Sequence, residues 1–437
     1  MHHKWWEYEE GVKMLIPRDR YLNRIIDYMG DGQVKVITGI RRCGKSVLLF
    51  DLFFDYLIGQ GIEPSQIIKI QLDQRKSAKY RNPIVLADYI EDLIRDKSRT
   101  FYVFIDEIQF CYEVDDPDNE GQKITVYDLL NELKSYPNLD VYVTGSNSKM
   151  LSRDIETQFR GRASKIHVWP LSFYEFHSYH KRDKRDDFDQ YMIYGGMPYL
   201  LTRKNDQQRK DYLTSLYDEV YIKDIVERNN VQKVDILEKM LDYLSSSVSS
   251  LTNPTNIAKA LKEVEDIKTN SHTVSAYLSY IEDAFLVEEA KRYDIKGKRY
   301  FDYPNKYYYC DVGLRNARLN FRQQDHGHIM ENVIFNELRM RGCSVDVGVV
   351  EEKTSKTTKR REIDFVVNYG DKKLYIQSAY EIPTNEKAKS ETASLRLTDD
   401  FFQKIVIQRD IVGQYTDEDG IVHCNIIDFL LDESLLL

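Results

Sequence analysis

From Val34 to about Trp169 the chain alternates short apolar runs with stretches whose apolar residues recur every three or four positions. The runs lie at 34–38, 67–72, 101–105, 141–144 and 166–169. The stretches between them, such as 45–57 and 84–94, have the period of amphipathic helices. Continuous apolar strands separated by helices predict an α/β fold, a parallel sheet covered on both faces. Leu22, Ile25, Ile26 and Met29 predict a lead-in helix that packs against it. The acidic stretch 113–120 reads as a solvated loop inserted after the third strand.

After Pro170 the pattern changes. Residues 171–250 are mostly helical by period, broken at Gly195-Gly196-Met197-Pro198. Between 233 and 310, three short helical patterns precede strand-like runs at 286–293 and 306–310, which is the order of a winged helix. Beyond Asn320 a helix at 329–341 precedes strands around 345–351, 363–367 and 374–377, then another helix and strand. The expected boundaries are 1–170, 171–232, 233–320 and 321–437.

Composition narrows the class. The 437 residues are 42% hydrophobic and 12% aromatic, enough to bury sizeable cores, which excludes global disorder and collagen-like or coiled-coil architectures. A formal charge of −9 confines any nucleic-acid contact to local basic patches. The longest apolar runs are strand-sized, far short of the ~20 residues that span a bilayer. Residues 1–6 lack the regions of a secretory signal. Cys43, Cys111, Cys310, Cys343 and Cys424 show no CxxC spacing, which predicts reduced thiols and no zinc site. A soluble, cytoplasmic protein is expected.

Gly39-Ile40-Arg41-Arg42-Cys43-Gly44-Lys45-Ser46 fits G-x-x-x-x-G-K-[ST] and stands between a predicted strand and a predicted helix, the context this motif requires. The glycines let the backbone curl so that N–H groups converge on phosphate oxygens at a helix start, with Val47 in the first turn. Lys45 would neutralise β/γ charge and the Ser46 hydroxyl would ligate Mg²⁺. The apolar strand ending in Asp106-Glu107 supplies the second half. Asp106 is placed beside the metal, and Glu107 is the candidate that orients and polarises water. These acids are expected at the tip of the strand adjacent to the loop-bearing one. After the strand 141–144, Asn147, with Ser146 close behind, is the candidate for reading the γ-phosphate or fixing the water, the alternative being a plain turn. Arg160 and Arg162 either reach the phosphates of a neighbouring subunit or form surface ion pairs; a finger acting in trans would require a ring or a dimer.

These residues resemble the AAA-type (AAA+/STAND-like) P-loop ATPases of bacteria and archaea that carry a winged helix and a C-terminal nuclease-like domain. The resemblance runs from about residue 16 to 410. Besides the segments already quoted, it rests on Ile105-Asp106-Glu107-Ile108-Gln109, Thr144-Gly145-Ser146-Asn147-Ser148 and Arg160-Gly161-Arg162. Further along it is carried by Pro170-Leu171-Ser172-Phe173-Tyr174-Glu175-Phe176, Ile281-Glu282-Asp283-Ala284-Phe285-Leu286 and Tyr309-Cys310-Asp311-Val312-Gly313-Leu314-Arg315. It implies a P-loop NTPase domain over 1–170, a helical subdomain over 171–232, a winged helix over 233–320 and a nuclease-like α/β domain over 321–437. It also implies Mg-ATP hydrolysis. Because a Gly-x-Pro element touches the nucleotide in related signal-transducing ATPases, Pro198 is a candidate nucleotide sensor.

The helix expected at 271–283 has no Lys or Arg, so base reading by it is disfavoured. Lys291, Arg292, Lys296, Lys298 and Arg299 cluster at the turn that follows and can pair with DNA or RNA phosphates, or form a solvated hairpin. Lys356, Lys359, Arg360 and Arg361 read as a second basic hairpin. Glu331 opens a helix, and strand alternation puts Glu362 with Asp364 on one face and Gln377 with Ala379 on one face of the next strand. This layout resembles that of PD-(D/E)xK nucleases, with Gln377 in place of the second acid and Ala379 in place of the lysine. Losing an anionic ligand weakens binding of a hard cation, and losing the lysine removes a group that stabilises developing charge. The site is therefore expected to be degenerate. Glu331 with Asp364, or Lys387 or Lys389 on the next helix, are its two routes back to activity.

The leading functional expectation is an ATP-driven switch or motor with nucleic-acid or protein partners. The alternative is an ATP-regulated DNA nuclease of defence or repair using Glu331, Asp364 and Gln377. A scaffold that holds ATP without hydrolysing it is the third.

Overall fold

The computed structural model describes residues 15–146, 163–322, 325–353, 358–381 and 384–435. It divides into two compact units, Met1–Val168 and Trp169–Leu437.

In the first unit five strands run parallel: β1 (Val34–Thr38), β2 (Ile67–Gln71), β3 (Phe101–Asp106), β6 (Leu139–Gly145) and β7 (Ala163–His167). Their order is β2-β3-β6-β1-β7. The five apolar runs are thus five strands, each offset by no more than a few residues. One expectation is corrected: β3 is not adjacent to β1, because β6 lies between them. Period-two alternation divides the strand residues between two cores. Val36, Val103, Ile105, Val141 and Val143 pack with Leu86 and Ile90 of helix Pro83–Leu93 and with Leu129 and Leu133 of helix Val126–Ser135. Phe104 and Tyr142 point the other way, against Phe53. Lys35 on that second face is buried, and its charge is met by Asp140 at 2.5 Å and Asp31 at 2.7 Å, the pairing a buried ammonium requires. The helix after β1 runs over 45–59, with a π-helical stretch at Leu48–Phe53. The acidic stretch after β3 is not a plain loop. It contributes to a small hairpin of β4 (Val114–Asp115) and β5 (Lys123–Ile124).

The second unit begins with helices Phe173–His180 and Lys184–Tyr194 and continues helical to 246 with interruptions. Ser172 and Glu175 form a capping box on the first of these, and Asn253 caps helix Pro254–Glu265 with Pro254 at its first position. Helix Ser271–Asp283 follows, then the hairpin β8 (Val287–Asp294) and β9 (Arg299–Tyr309). The remaining strands are β10 (Ser344–Lys353), β11 (Thr358–Tyr369), β12 (Lys372–Ala379), β13 (Gln403–Gln408), β14 (Tyr415–Thr416) and β15 (Val422–Asn425). All eight make one mixed sheet in the order β14-β15-β13-β12-β11-β10-β8-β9. Here the structure departs from the expected boundary near 320. The hairpin expected to be a wing is built into the C-terminal sheet, since β8 pairs in parallel with β10 through Arg292, Tyr293 and Asp294. Helix His326–Met340 lies on this sheet, with Ile334, Phe335 and Leu338 in its main core. Among the described residues no helix is long and apolar enough to cross a membrane.

Candidate functional site

The loop between β1 and its helix is shaped by backbone conformations that glycine favours. Gly39 has φ +142° and Gly44 φ +104°, while Arg42 between them is also left-handed at +64°. A Cβ on Gly39 would stand 2.1 Å from the Val168 carbonyl oxygen, so close approach as well as conformation requires glycine. Val168 N–H donates to Thr38 O at 2.8 Å, and the Cys43 thiol donates to Val168 O at 3.2 Å. Buried Arg18 donates to Cys43 O at 3.0 Å, a brace that nothing in the local pattern had marked. All five cysteines are free thiols.

Lys45 is buried, and its ammonium turns back onto the loop, donating to Gly39 O at 2.8 Å and Ile40 O at 3.0 Å. Ser46 Oγ donates to Asp106 Oδ1 at 3.1 Å. The intervening strand closes the gap, because Thr144 on β6 donates to the same Asp106 oxygen and accepts the Glu107 N–H at 3.0 Å. Burial raises the Asp106 carboxyl above its ordinary range, against the hydrogen bonds from Thr144 and Ser46. Glu107 takes a left-handed backbone at φ +54°, a strained choice for this residue type. Its carboxylate accepts from Gln109 Nε2 and, at 3.4 Å, from Ser146 Oγ. Thr144 and Gln109 were not assigned roles from the sequence; the one available signal was Gln109 standing two positions after Glu107. Ser46 and Asp106 are hard oxygen donors within one hydrogen bond, a pair suited to magnesium. Asn147, Arg160 and Arg162 lie outside the described residues.

In the second unit the segment around Pro198 is locked in place. Gly196 N–H donates to Asp311 Oδ2 at 2.6 Å, and Leu171 N–H donates to Gly196 O at 2.7 Å. Asp311 is buried, which pushes its carboxyl up to about 6 in spite of the N–H donors of Gly196, Leu314 and Gly313. Thus two separate sequence motifs, one at 195–198 and one at 309–315, form one joint.

The acid set of the C-terminal sheet does assemble, though not as expected. Glu331, Glu362 and Asp364 converge on Lys306 of β9, whose Nζ stands 2.7, 2.6 and 3.6 Å from them. Asp364 Oδ2 also accepts from Gln377 Nε2 and Ser378 N–H, both at 2.8 Å. With an ammonium among the acids and an amide donor on one of them, these residues do not fit a divalent metal. Among the described residues no group of His, Cys, Asp or Glu is set to hold one. Lys306 was missed because a lone lysine at the head of a Tyr-rich run reads as solvated. Ala379 is buried, and of the two lysines on the next helix, Lys387 and Lys389, the side chains lie outside the described residues.

The basic candidates are partly neutralised already. Lys296 pairs with Asp399 at 2.8 Å, Arg299 with Asp294 at 3.4 Å, Arg360 with Glu351 at 3.7 Å and Arg361 with Glu352 at 2.7 Å. Arg292 is half-buried in β8 and Lys359 exposed on β11, whereas Lys356 lies outside the described residues.

A parallel sheet whose first strand feeds a glycine loop, with a carboxylate held against the loop's serine, defines a P-loop, ATPase-like AAA domain. The AAA domain family matches residues 31–177, and a domain of unknown function (DUF8612) matches residues 185–325. The chain belongs to the same family as an uncharacterized protein of Haemophilus influenzae, to which it is 34% identical over 425 residues, 96% of this chain and 99% of that one. An uncharacterized protein of Methanocaldococcus jannaschii is 28% identical over 389 residues, 85% of this chain and 80% of that one. Among solved structures, a Walker-type ATPase of Pyrococcus abyssi is 17% identical with a TM-score of 0.47, covering 70% of this chain and 96% of that one. The Aeropyrum pernix ORC1 protein in complex with DNA is 13% identical with a TM-score of 0.29, covering 70% and 92%. At these scores the structural likenesses carry no functional argument.

Proposed function

We propose that the protein binds and hydrolyses Mg-ATP and uses the cycle as a switch or motor. The observation that supports this most is the hydrogen-bonded line Ser46–Asp106–Thr144 at the mouth of the glycine loop. The N–H groups of the loop from Gly39 to Val47 bind the phosphates, and Lys45 exchanges its two carbonyl acceptors for phosphate oxygens. Ser46 and Asp106 hold magnesium, which when bound supplies charge neutralisation to the phosphates. Glu107 leaves Gln109 and Ser146 to accept a proton from water. Asn147 reads the terminal phosphate, Arg160 or Arg162 reaches it from a neighbouring copy in a ring or dimer, and Pro198 reports the nucleotide state.

The helices of 233–283 and the β8–β9 hairpin that joins the C-terminal sheet serve as the partner-binding part, with DNA or RNA phosphates meeting Lys291, Arg292 and Lys298 there and Lys359 on β11. The reading as a nuclease is not favoured, because the acid set that would serve it is filled by Lys306. Phosphate release from ATP by the purified full chain, with and without Mg²⁺, tests the central reading. Tight ATP binding with no release would leave a nucleotide-holding scaffold instead.

A further inference from the structure

The acidic site of the second unit holds a cation, and the chain itself supplies it. We propose that the Lys306 ammonium is the resident ion of this site: it takes the position between Glu331, Glu362 and Asp364 that a divalent metal would need, so the site carries no metal until the lysine is removed. The inference does not depend on the ATP site.

Three observations support it. First, Lys306 is buried, and its Nζ lies within 2.7 Å of two carboxylates and 3.6 Å of the third. A divalent ion bound by the same oxygens would stand about 2.0–2.6 Å from each, so the two cannot occupy that point together. Second, two of the acids are engaged by further donors. Tyr308 Oη donates to Glu331 Oε1 at 2.7 Å, and Gln377 Nε2 and Ser378 N–H donate to Asp364 Oδ2. Third, a buried ammonium needs acidic partners around it, and the side chains of Glu331, Glu362 and Asp364 surround Lys306 on this sheet.

The open side of the site argues against phosphate cleavage. It faces a cavity of about 620 Å³ whose walls include Asp325, Glu381 and Glu391 beside the three acids, with His328 as the further basic side chain. Such walls repel a phosphodiester. A divalent cation is the ligand class they attract, and Lys306 is what bars its seat.

The test is Mn²⁺ titration of the full chain without nucleotide, read by bound ion after equilibrium dialysis and by thermal melting. Wild type is expected to melt within ~1 °C of its metal-free value and to take up no more Mn²⁺ than Asp364→Asn. Lys306→Ala is expected to gain one ion per chain and to melt roughly 5 °C higher at an ion concentration about 100-fold above Kd. That gain disappears when Asp364→Asn is added, and Lys306→Arg, which keeps the cation, does not show it. A Lys306→Ala chain that folds only when Mn²⁺ is present gives the same support. Ion bound by wild type and lost in Asp364→Asn overturns the proposal. So does a failure of Mn²⁺ to change ion content and melting in both Lys306→Ala and Lys306→Met.

Discussion

Ser46 Oγ stands 3.1 Å from Asp106 Oδ1, joining the first turn of the loop's helix to the end of β3 across a strand that belongs to neither. Sixty residues of chain separate the two groups, and Thr144 on the intervening β6 donates to the same Asp106 oxygen. A site built this way is set by the sheet, so its parts can be tested singly.

Lys45 is held by two carbonyls of its own loop, and among the described residues no carboxylate forms an ion pair with it. Removing it takes away a charge-assisted contact of about 1.5–3 kcal/mol, or roughly 10- to 100-fold in affinity. Lys45→Ala is therefore expected to lose ATP binding in a micromolar titration with a fluorescent analogue.

Glu107 is expected to act on water and not on ATP affinity. Glu107→Gln should bind ATP as wild type does and release phosphate roughly 10²- to 10⁴-fold more slowly, the range that positioned general bases contribute. Full turnover in this variant would remove Glu107 from the reaction. Because Gln109 and Ser146 engage the same carboxylate, Gln109→Ala should alter the pH profile of phosphate release while leaving ATP affinity in place.

Asp364 provides a pH test of the acidic site. Burial and the Glu331 charge, against the opposing Lys306, push its carboxyl up to about 8. Between about pH 4 and pH 8 the folded chain keeps this proton while the unfolded chain has lost it. Its contribution to stability is thus full below about pH 4 and falls away as pH rises through 8. Melting temperature should decline over this window in wild type and decline less in Asp364→Asn. An equally steep decline in both would remove Asp364 as the cause. Asp311, pushed up to about 6, acts over a narrower window and is present in both chains.

The joint between the two glycine motifs is expected to be intolerant of a methyl group. A Cβ on Gly313 would stand 1.9 Å from Tyr194 O, and one on Gly196 would stand 2.1 Å from Leu171 O. Gly313→Ala and Gly196→Ala should each lower stability by about 1–3 kcal/mol, since backbone must move to admit the new atom. Gly59→Ala, at a helical position with nothing within 4 Å, should be neutral or slightly stabilising in the same melting experiment.

Nucleic-acid binding, if it uses the basic hairpins, must displace or share the existing pairs of Lys296, Arg299, Arg360 and Arg361. Fluorescence anisotropy with short single- and double-stranded DNA should therefore show weak binding that weakens further with salt, with a slope set by the few phosphates contacted. No binding at low salt would leave a protein partner as the reading for this region.

The candidate ATP site was legible in the sequence to the extent that it is local. Gly39 and Gly44 permit left-handed or extended turns, Lys45 and Ser46 follow at the start of a helix, and an apolar run ending in Asp106-Glu107 is a strand whose acids emerge at its tip. Each of these follows from conformational preference and period over a few neighbouring residues. What the tertiary structure decided is which distant segments meet. Nothing in the spacing of β1 and β3 says that β6 enters between them and brings Thr144 to Asp106. Likewise the local pattern of the β8–β9 hairpin cannot show that it joins the sheet containing Glu362 and Asp364. That joining delivers Lys306 to the acids, and a single lysine on a strand carries no mark of whether water or three carboxylates will surround it. Strand pairing is chosen by burial and hydrogen bonding summed over the whole sheet, and so it is settled only when the chain has folded.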